Sequence, residues 1–376
     1  MNDISSRITY KNKENRPLIP LTISAQEGLI SQYDYFDKQI ASINLSTYYV
    51  LKRGQFAYNK SYSKGYPYGA IKRLERYDEG ALSSLYICFE LKNIDSNFMC
   101  KYFESNKWNY EVKLISGEGA RNHGLLNLSP SDFFNIKLYV PTNKIEQLKI
   151  AKFIELLQEK IDSSKAKLEA LKKYKKGLAK EAIKDTINYW KNGVGNAIDL
   201  SNYLIEVNEL SKNNGTYPHV TLSTEGISDK SDRYDRDFLV KDDNKKYKVT
   251  HYNQLCYNPA NLKFGVICIN RYGDGIFSPI YVTFAVKNIE LEYLELIITS
   301  EDFNRYSMKY QQGTVYERMS VSPEDLSRIK LVVNEKHKQK GIASSASALN
   351  KKISKLECEL DNLKLIKAYL LNNMFI

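Results

Sequence analysis

The sequence has few of the residues that build disulfide frameworks, metal centres or membrane spans. Its five cysteines are odd in number and none lies in a Cys-x-x-Cys pair, and its four histidines are scattered. No run of 18 apolar residues occurs, and residues 1–7 lack the apolar core of a signal peptide. We therefore expect a cytoplasmic protein with reduced thiols, no bound metal and no membrane segment.

The chain also lacks the usual signatures of a catalytic site. No Gly-x-x-x-x-Gly-Lys-Ser/Thr loop is present, so no ordinary ATP cradle is predicted. The segment Asn258–Asn261 (NPAN) is similar to the loop with which adenine methyltransferases hold a flipped base. It has neither the second proline nor the aromatic residue that stacks on that base. We predict that the chain is not an enzyme and binds no cofactor itself.

Positive charge is what the sequence has in excess. Lys and Arg outnumber Asp and Glu by 55 to 44, which gives a formal net charge of +11, and 29 tyrosines accompany them. Nucleic acid is the commonest acidic partner of such a protein, because each neutralised phosphate releases a counterion. Tyrosine can hydrogen-bond phosphates and stack on bases. A basic surface without a polyanionic partner is the alternative.

Two stretches carry an apolar period of seven residues. The first runs from Ile145 to Ala182, and the second repeats the pattern 192 residues later. A period sustained over four heptads predicts long helices that pack along a narrow seam. The central seam positions are Ile154, Leu157, Ile161, Leu168, Leu171, Leu349, Ile353, Leu356, Leu360 and Leu363. An ordinary helix pair in the core of one large domain is the alternative.

The segments between these helices also repeat in order. LSPSDFFNIKLYVP (128–141) matches VSPEDLSRIKLVVN (321–334), and GALSSLYICFELKN (80–93) matches GIFSPIYVTFAVKN (275–288). The two pairs of matching segments are separated by nearly the same number of residues, which indicates two copies of one unit. We predict a mixed α+β fold with two similar globular α/β domains. The predicted boundaries are 1–141 for the first domain, 142–190 for the central helix and linker, 191–334 for the second domain, and 335–376 for the C-terminal helix.

The duplication also predicts how the helices pair. Lys175 and Lys367 occupy equivalent seam positions, so a parallel pair in register would place two ammonium groups in one layer. Antiparallel pairing separates them and lets each reach water. We therefore expect an intramolecular antiparallel coiled coil that relates the two domains by a pseudo-twofold axis.

Loops that read DNA should be polar, basic and aromatic, and should differ between the copies. Residues of this kind are Lys60, Tyr62, Lys64, Tyr66, Tyr68, Arg73, Arg121, Asn122, Asn261, Lys263, Arg271, Tyr272, Gln311, Gln312, Thr314, Tyr316 and Arg318. Arginine and glutamine can contact guanine and adenine through two hydrogen bonds. For each residue, a solvated loop position is the alternative.

This pattern resembles the specificity subunits of type I restriction-modification enzymes. The resemblance spans essentially the whole chain and rests on the paired Gly-x-x-Ser-x-x-Tyr segments (80–86 and 275–281), the Ser-Pro-x-Asp and Ile-Lys-Leu lead-in, and the helix endings. It implies that each domain is a target-recognition domain for one half of a split site in double-stranded DNA. The helices would set the unread spacer.

The same resemblance implies partner subunits that catalyse the reactions. Two modification subunits would dock on the helices, bind S-adenosylmethionine and methylate adenine at N6 after flipping it out. Restriction subunits would use ATP and Mg²⁺ for translocation and cleavage. A coiled-coil scaffold whose domains bind nucleic acid without sequence preference is the alternative function.

Overall fold

The computed structural model describes residues 1–36, 44–63, 65–105, 107–116, 126–212, 215–230, 246–313 and 319–375. The chain divides into two compact units. Unit 1 comprises Met1–Lys165 and Glu359–Ile376, and unit 2 comprises Ala166–Cys358. Each unit therefore contains one globular domain and one segment from each of the two long helices. The domain boundaries proposed from sequence remain predictions.

In the described part of unit 1, a run of short strands, interrupted by one short helix, is followed by three short helices before the first long helix begins. The strands are β1 (Ser5–Arg7), β2 (Pro20–Ser24), β3 (Gly28–Ser31), β4 (Tyr49–Lys52), β5 (Phe56–Asn59), β6 (Ala70–Arg73), β7 (Glu79–Leu82) and β8 (Ile87–Leu91). The helices are α1 (Gln32–Phe36), α2 (Ser96–Glu104), α3 (Asn109–Ile115), α4 (Pro130–Phe134) and the long α5 (Lys144–Asn192), which continues into unit 2.

These strands form two sheets. One has the order β1-β8-β5-β6 and is antiparallel throughout, and the other has the order β3-β2-β7-β4 with β2 and β7 parallel. The first sheet packs against the helices through an aromatic core, because its inward-facing residues are mostly Phe and Tyr. The buried rings of this core are Phe56, Tyr58, Phe89, Phe98, Tyr102, Phe103, Trp108, Phe133, Phe134 and Phe375.

In the described part of unit 2, the same kinds of element follow one another. The strands are β9 (Ile198–Asp199), β10 (Leu204–Val207), β11 (Leu210–Lys212), β12 (Val220–Ser223), β13 (Gly226–Asp229), β14 (Lys246–Thr250), β15 (Leu255–Tyr257), β16 (Ile267–Ile269), β17 (Gly275–Phe277), β18 (Val282–Val286) and β19 (Lys330–Leu331). The helices are α6 (Leu291–Ile298), α7 (Glu301–Ser307), α8 (Pro323–Ser327) and the long α9 (Lys336–Asn373), which ends in unit 1.

The strand order of unit 2 repeats that of unit 1. The sheet β10-β18-β15-β16 corresponds to β1-β8-β5-β6. The hairpin β12-β13 meets β17 through a parallel bridge between His219 and Ile276, and β17 pairs with β14, so β13-β12-β17-β14 corresponds to β3-β2-β7-β4. The prediction of two similar globular α/β domains is confirmed.

The first glycine of each Gly-x-x-Ser-x-x-Tyr segment is needed for close strand packing. A Cβ atom on Gly80 would lie 2.5 Å from Cδ1 of Leu21, and one on Gly275 would lie 2.8 Å from Cγ1 of Val220. Real Cβ atoms do not approach other atoms this closely, so only glycine lets β7 lie against β2 and β17 against β12. The repeated motif thus has a structural cause in both units.

The two long helices run antiparallel within each unit. In unit 1, Lys160 pairs with Glu359 at 3.0 Å, and Lys367 Nζ donates to Oε1 of Gln158 at 2.8 Å. In unit 2, Lys172 pairs with Glu357 at 2.8 Å, and Glu181 pairs with Lys338 at 3.7 Å. Residue numbers therefore rise along α5 as they fall along α9, as the sequence predicted.

The ten predicted seam residues of these helices are all buried or half-buried. Five of the predicted seam residues are buried, namely Ile154, Ile161, Leu168, Leu349 and Leu360. The other five are half-buried, namely Leu157, Leu171, Ile353, Leu356 and Leu363. Burial at this spacing is what a narrow two-helix seam requires, since a pair of helices cannot fully enclose the edges of its own interface.

Helix α5 extends ten residues beyond the predicted end at Ala182. The extra turns are stabilised by the domain of unit 2: Trp190 stacks on Tyr306 with ring centroids 3.9 Å apart, and its Nε1 donates to the Lys330 carbonyl at 2.8 Å. Thr186 Oγ1 donates to the Val332 carbonyl at 3.1 Å. The helix stops at Asn192, where the glycine-containing sequence NGVGN begins.

A buried glutamine ties the start of each long helix to its domain. In unit 1, Nε2 of Gln147 donates to the Pro141 carbonyl at 2.7 Å, and its Oε1 accepts from the Asp95 amide at 2.9 Å. In unit 2, Gln339 repeats both bonds with the Asn334 carbonyl at 2.7 Å and the Glu290 amide at 3.2 Å. In unit 1, the glutamine side chain thus holds the start of α5 to the segment before it and to the N-cap of α2. In unit 2, it holds the start of α9 to the segment before it and to the N-cap of α6.

We predict that Gln147→Ala and Gln339→Ala each lower the free energy of unfolding by about 2 kcal/mol, because each leaves two partly buried backbone groups unpaired. Urea unfolding of the full chain, followed by circular dichroism, measures the loss. Gln26→Ala is the matched control, since Gln26 is exposed. If Gln26→Ala lowered the free energy of unfolding by the same amount, the hydrogen bonds of Gln147 and Gln339 would not be the cause of the loss.

Candidate nucleic-acid interface

The loop after β5 in unit 1 is fixed at its ends and exposed near its middle. Lys60 Nζ donates to the Leu128 carbonyl at 3.0 Å, so this ammonium group holds the loop to the chain before α4. At the other end, Tyr68 packs against the aromatic core, and its carbonyl accepts from the hydroxyl of Tyr58 at 2.7 Å. Tyr62 is 60% exposed. Among the described candidates in this loop, Tyr62 is therefore the best placed to meet a ligand.

Tyr66 lies on the same loop but is half-buried. The ammonium of Lys72 lies 5.3 Å from the centre of its ring, a cation–π contact within unit 1. Burial, with a further contribution from the Glu104 charge, raises the pKa of the Tyr66 hydroxyl above its ordinary value. Tyr66 therefore stays neutral at physiological pH and can donate a hydrogen bond to a phosphate.

Arg73 and Arg271 serve the fold, and their charges are already partnered. Arg73 binds Glu75 at 2.7 Å and Oγ of Ser96 at 2.8 Å, which joins β6 to α2. Arg271 follows β16 and contacts two carboxylates of α6, Glu292 at 3.2 Å and Glu295 at 3.0 Å. Both arginines thus attach the edge of a sheet to the helix that follows it. A guanidinium held by carboxylates is less available to DNA than one in open solvent.

Unit 2 presents a short exposed turn that joins a cation to an aromatic ring. The turn Leu262–Phe264 follows Asn261, and the fully buried Leu262 anchors it in the core. Lys263 Nζ lies 5.0 Å from the ring centre of Phe264, and Phe264 is 64% exposed. Such a tip can contact a phosphate and a base or sugar face together. Phe264 is absent from the residues predicted from sequence, although it is aromatic and lies in the same loop as Asn261 and Lys263.

The NPAN segment next to this turn has a local structural role. Asn258 is buried, and its Oδ1 accepts from the Ala260 amide at 3.1 Å. The Pro259 carbonyl accepts from the Val321 amide at 3.1 Å. These bonds hold the segment as a turn against the chain that leads into α8.

The remaining described candidates of unit 2 lie at loop surfaces. Tyr272 is 42% exposed, with its hydroxyl 3.3 Å from Oδ2 of Asp229. Gln311 is half-buried, and Gln312 is exposed and exchanges two backbone hydrogen bonds with Ser320 at 2.9 and 3.0 Å. These bonds pair the chain at Gln312 with the chain at Ser320. Six other candidates lie outside the described residues and remain predictions: Lys64, Arg121, Asn122, Thr314, Tyr316 and Arg318.

His251 joins the ends of three strand segments in unit 2. Its Nε2 lies 2.9 Å from the carboxylate of Glu209, before β11, and its Nδ1 lies 2.9 Å from the carboxylate of Asp274, before β17. Hydrogen bonds to Glu209 and Asp274 raise the pKa of the imidazolium above its ordinary value, against the opposing effect of partial burial. The protonated ring therefore stabilises the sheet β11-β14-β17.

We predict that this contact makes unit 2 less stable as pH rises. The raised folded-state pKa means that the stabilisation is complete below the unfolded value of about 6.5 and is lost as pH passes through the folded value. Unfolding by urea at pH 6 and pH 8.5 should show a smaller pH difference for His251→Asn than for the wild type. His337→Asn, at a histidine with an 81% exposed side chain, is the control. An unchanged pH difference in His251→Asn would contradict the assignment.

Across the part of the chain that the structure describes, no cluster of three or more His, Cys, Asp or Glu side chains is arranged to hold a metal ion. None of the helices in those residues is long and apolar enough to cross a membrane. All five cysteines are free thiols. What the site offers chemically is hydrogen bonding, stacking and positive charge at loop tips.

Comparison with known proteins gives a match in structure and none in sequence. No protein-family model matches the chain, and no curated protein matches it. The S subunit of the type I restriction-modification system from M. genitalium superposes with a TM-score of 0.56 at 14% identity, covering 100% of this chain and 94% of that one. A chain from a structure on complex assembly and conformational transition of the type I R-M system gives a TM-score of 0.50 at 11% identity, covering 98% and 95%.

A third structure, the HsdS subunit from Thermoanaerobacter tengcongensis, is 12% identical over 100% of this chain and 95% of that one. Its TM-score is 0.48, so the fold assignment rests on the other two. The chain shares the fold of a type I restriction-modification S subunit, with two α/β domains and two long helices.

Proposed function

We propose that this chain is the non-catalytic DNA-specificity subunit of a type I restriction-modification complex. The observation that carries the proposal is the duplicated domain, with one strand order in both copies and a long helix after each. Each domain reads one half of a bipartite site in double-stranded DNA, and the helices set the number of unread base pairs. The shared fold over the whole chain supports this assignment.

The exposed loop tips supply the reading chemistry. Tyr62 of unit 1 and the Lys263–Phe264 tip of unit 2 combine polar, cationic and aromatic groups at the surface. Phosphate contacts position a reader, and hydrogen bonds to base edges select the sequence. Gln312 is exposed and can form the paired hydrogen bonds that identify adenine.

The helices also dock the catalytic partners. In unit 1, α5 carries large apolar side chains outside its seam: Ile145, Leu148, Phe153 and Leu156 are each at least half exposed. Large apolar side chains in this position suit a protein interface. Two modification subunits that bind S-adenosylmethionine and methylate adenine at N6 would occupy the helices. Restriction subunits that use ATP and Mg²⁺ would join that complex.

Reconstitution from purified subunits tests the proposal that this chain supplies sequence specificity and its partners supply catalysis. The purified chain alone should transfer no methyl group from S-adenosylmethionine to DNA and should hydrolyse no ATP. Addition of the modification subunits should give adenine methylation at a bipartite sequence, and these subunits without the chain should give none. Methyl transfer or ATP hydrolysis by the chain alone would contradict the proposal.

A further inference from the structure

The net positive charge of the chain is concentrated in one pair of helix segments. The parts of α5 and α9 in unit 2, residues 166–192 and 336–358, contain 14 lysines and four acidic residues, a net charge of +10. The parts in unit 1, residues 144–165 and 359–373, contain seven lysines and six acidic residues, a net charge of +1. Since the whole chain carries +11, everything outside these helices is neutral overall.

Helix packing does not require this charge. In the duplicated sequence, the positions that correspond to Lys173 and Lys180 are Leu365 and Asn372, 192 residues later. Likewise, the positions that correspond to Lys351 and Lys355 are Glu159 and Ser163, 192 residues earlier. These four neutral or acidic residues lie in the antiparallel helix segments of unit 1. These four lysines of unit 2 are therefore not needed for two antiparallel helices of this kind to pack.

Most of these lysines face solvent without a partner. Only three of the 14 pair with a carboxylate among the described residues: Lys172 with Glu357, Lys176 with Glu301, and Lys338 with Glu181. The other 11 lie beyond ion-pair distance of any described acidic group, and all of them except the half-buried Lys175 are exposed. Lysines at positions 172, 176, 180 and 184 also follow the i, i+4 row of α5, where like charges repel. An acidic partner would relieve this repulsion.

We propose that the helix pair of unit 2 binds the phosphate backbone of double-stranded DNA without reading its bases. Its α5 segment of 27 residues is about 40 Å long, slightly more than one turn of duplex DNA. Five of the lysines, at positions 172, 173, 175, 176 and 180, line one side of a groove of about 660 Å³ beside the α6–α7 connection, and Glu301 and Asp302 line it from that connection. The proposal rests on the proposed function only in choosing DNA as the polyanion.

The salt dependence of DNA binding tests this proposal. Affinity for a 40-base-pair duplex of fixed arbitrary sequence is measured by fluorescence anisotropy over a series of KCl concentrations, with the full chain. Each phosphate contact contributes about 0.9 to the slope of log affinity against log salt. Lys173→Gln/Lys180→Gln and Lys351→Gln/Lys355→Gln should each lower the slope by about 1 to 2. Lys144→Gln/Lys149→Gln is the control, because it removes two exposed α5 lysines from unit 1.

The control should change the slope by less than about 0.5. An equal decrease of the salt slope in all three variants would mean that the total charge of the chain, and not this surface, controls DNA binding. An unchanged slope in both unit 2 variants, with or without weaker binding of a protein partner, would also overturn the proposal. Sequence preference is measured separately, by mapping the methylated adenines of the genome. If no sequence preference were found while the slopes fell as expected, the proposed function would be rejected and this inference would be kept.

Discussion

Replacing residues 1–141 with the equivalent domain of a homologous chain is expected to change one half of the methylated sequence and leave the other half unchanged. The reason is structural, because the two domains repeat one strand order and each has its own core. Single-molecule sequencing of methylated adenines in cells that express the chimaera measures both halves. The effect should be complete, with methylation at the original site lost.

The donor domain must accept Phe375 at the end of the chain. The ring of Phe375 lies 5.5 Å from the rings of both Phe98 and Tyr102 in the core of unit 1. A donor with large apolar residues at these two positions keeps that contact. The reciprocal exchange of residues 191–334 is the control and should change only the other half. A change in both halves from either exchange would exclude two independent readers.

Insertion of one heptad into both long helices is expected to lengthen the unread spacer by about three base pairs and leave both half-sites unchanged. Seven residues add about 10 Å of helix, and one base pair occupies about 3.4 Å. Seven residues also make nearly two full turns, so the seam keeps its direction. The insertions belong after Lys165 and after Cys358, where the chain passes between the two units, so that contacts inside each unit are kept.

Insertion into α5 alone is the matched control. It shifts the helix segments out of register, so pairs such as Lys160 with Glu359 and Lys172 with Glu357 cannot all reform, and methylation should be weak or absent. The same methylation mapping compares the single and double insertions. Methylation by the double-insertion chain at an unchanged spacer would rule out the helices as the ruler.

The parts of the fold that sequence predicts best are those with a long period or a repeat. The heptad positions predicted the seam from Ile154 to Leu168, because a period of seven fixes one face of a helix. The equivalent lysines, Lys175 and Lys367, predicted the antiparallel direction from charge alone. Strand order is set by pairing between distant segments, so sequence alone did not predict it.

Other features depend on contacts that no local pattern reveals. Helix α5 continues to Asn192 because Trp190 stacks on Tyr306, a residue more than 100 positions away. Arg73 was chosen as a DNA contact because it is basic and lies near a polar loop, yet Glu75 and Ser96 hold it. Phe264 is 64% exposed, a fact that its residue type does not reveal. Candidate binding residues can thus be grouped by loop from sequence, but their availability requires the structure.

The central claim is that this chain selects a split DNA sequence for adenine methylation by its partners. Genome-wide mapping of N6-methyladenine in cells with the gene intact, deleted and restored tests it most directly. We expect one bipartite motif, with two short defined halves and an unread spacer, that disappears on deletion and returns on restoration. An unchanged set of methylated motifs after deletion would contradict the claim.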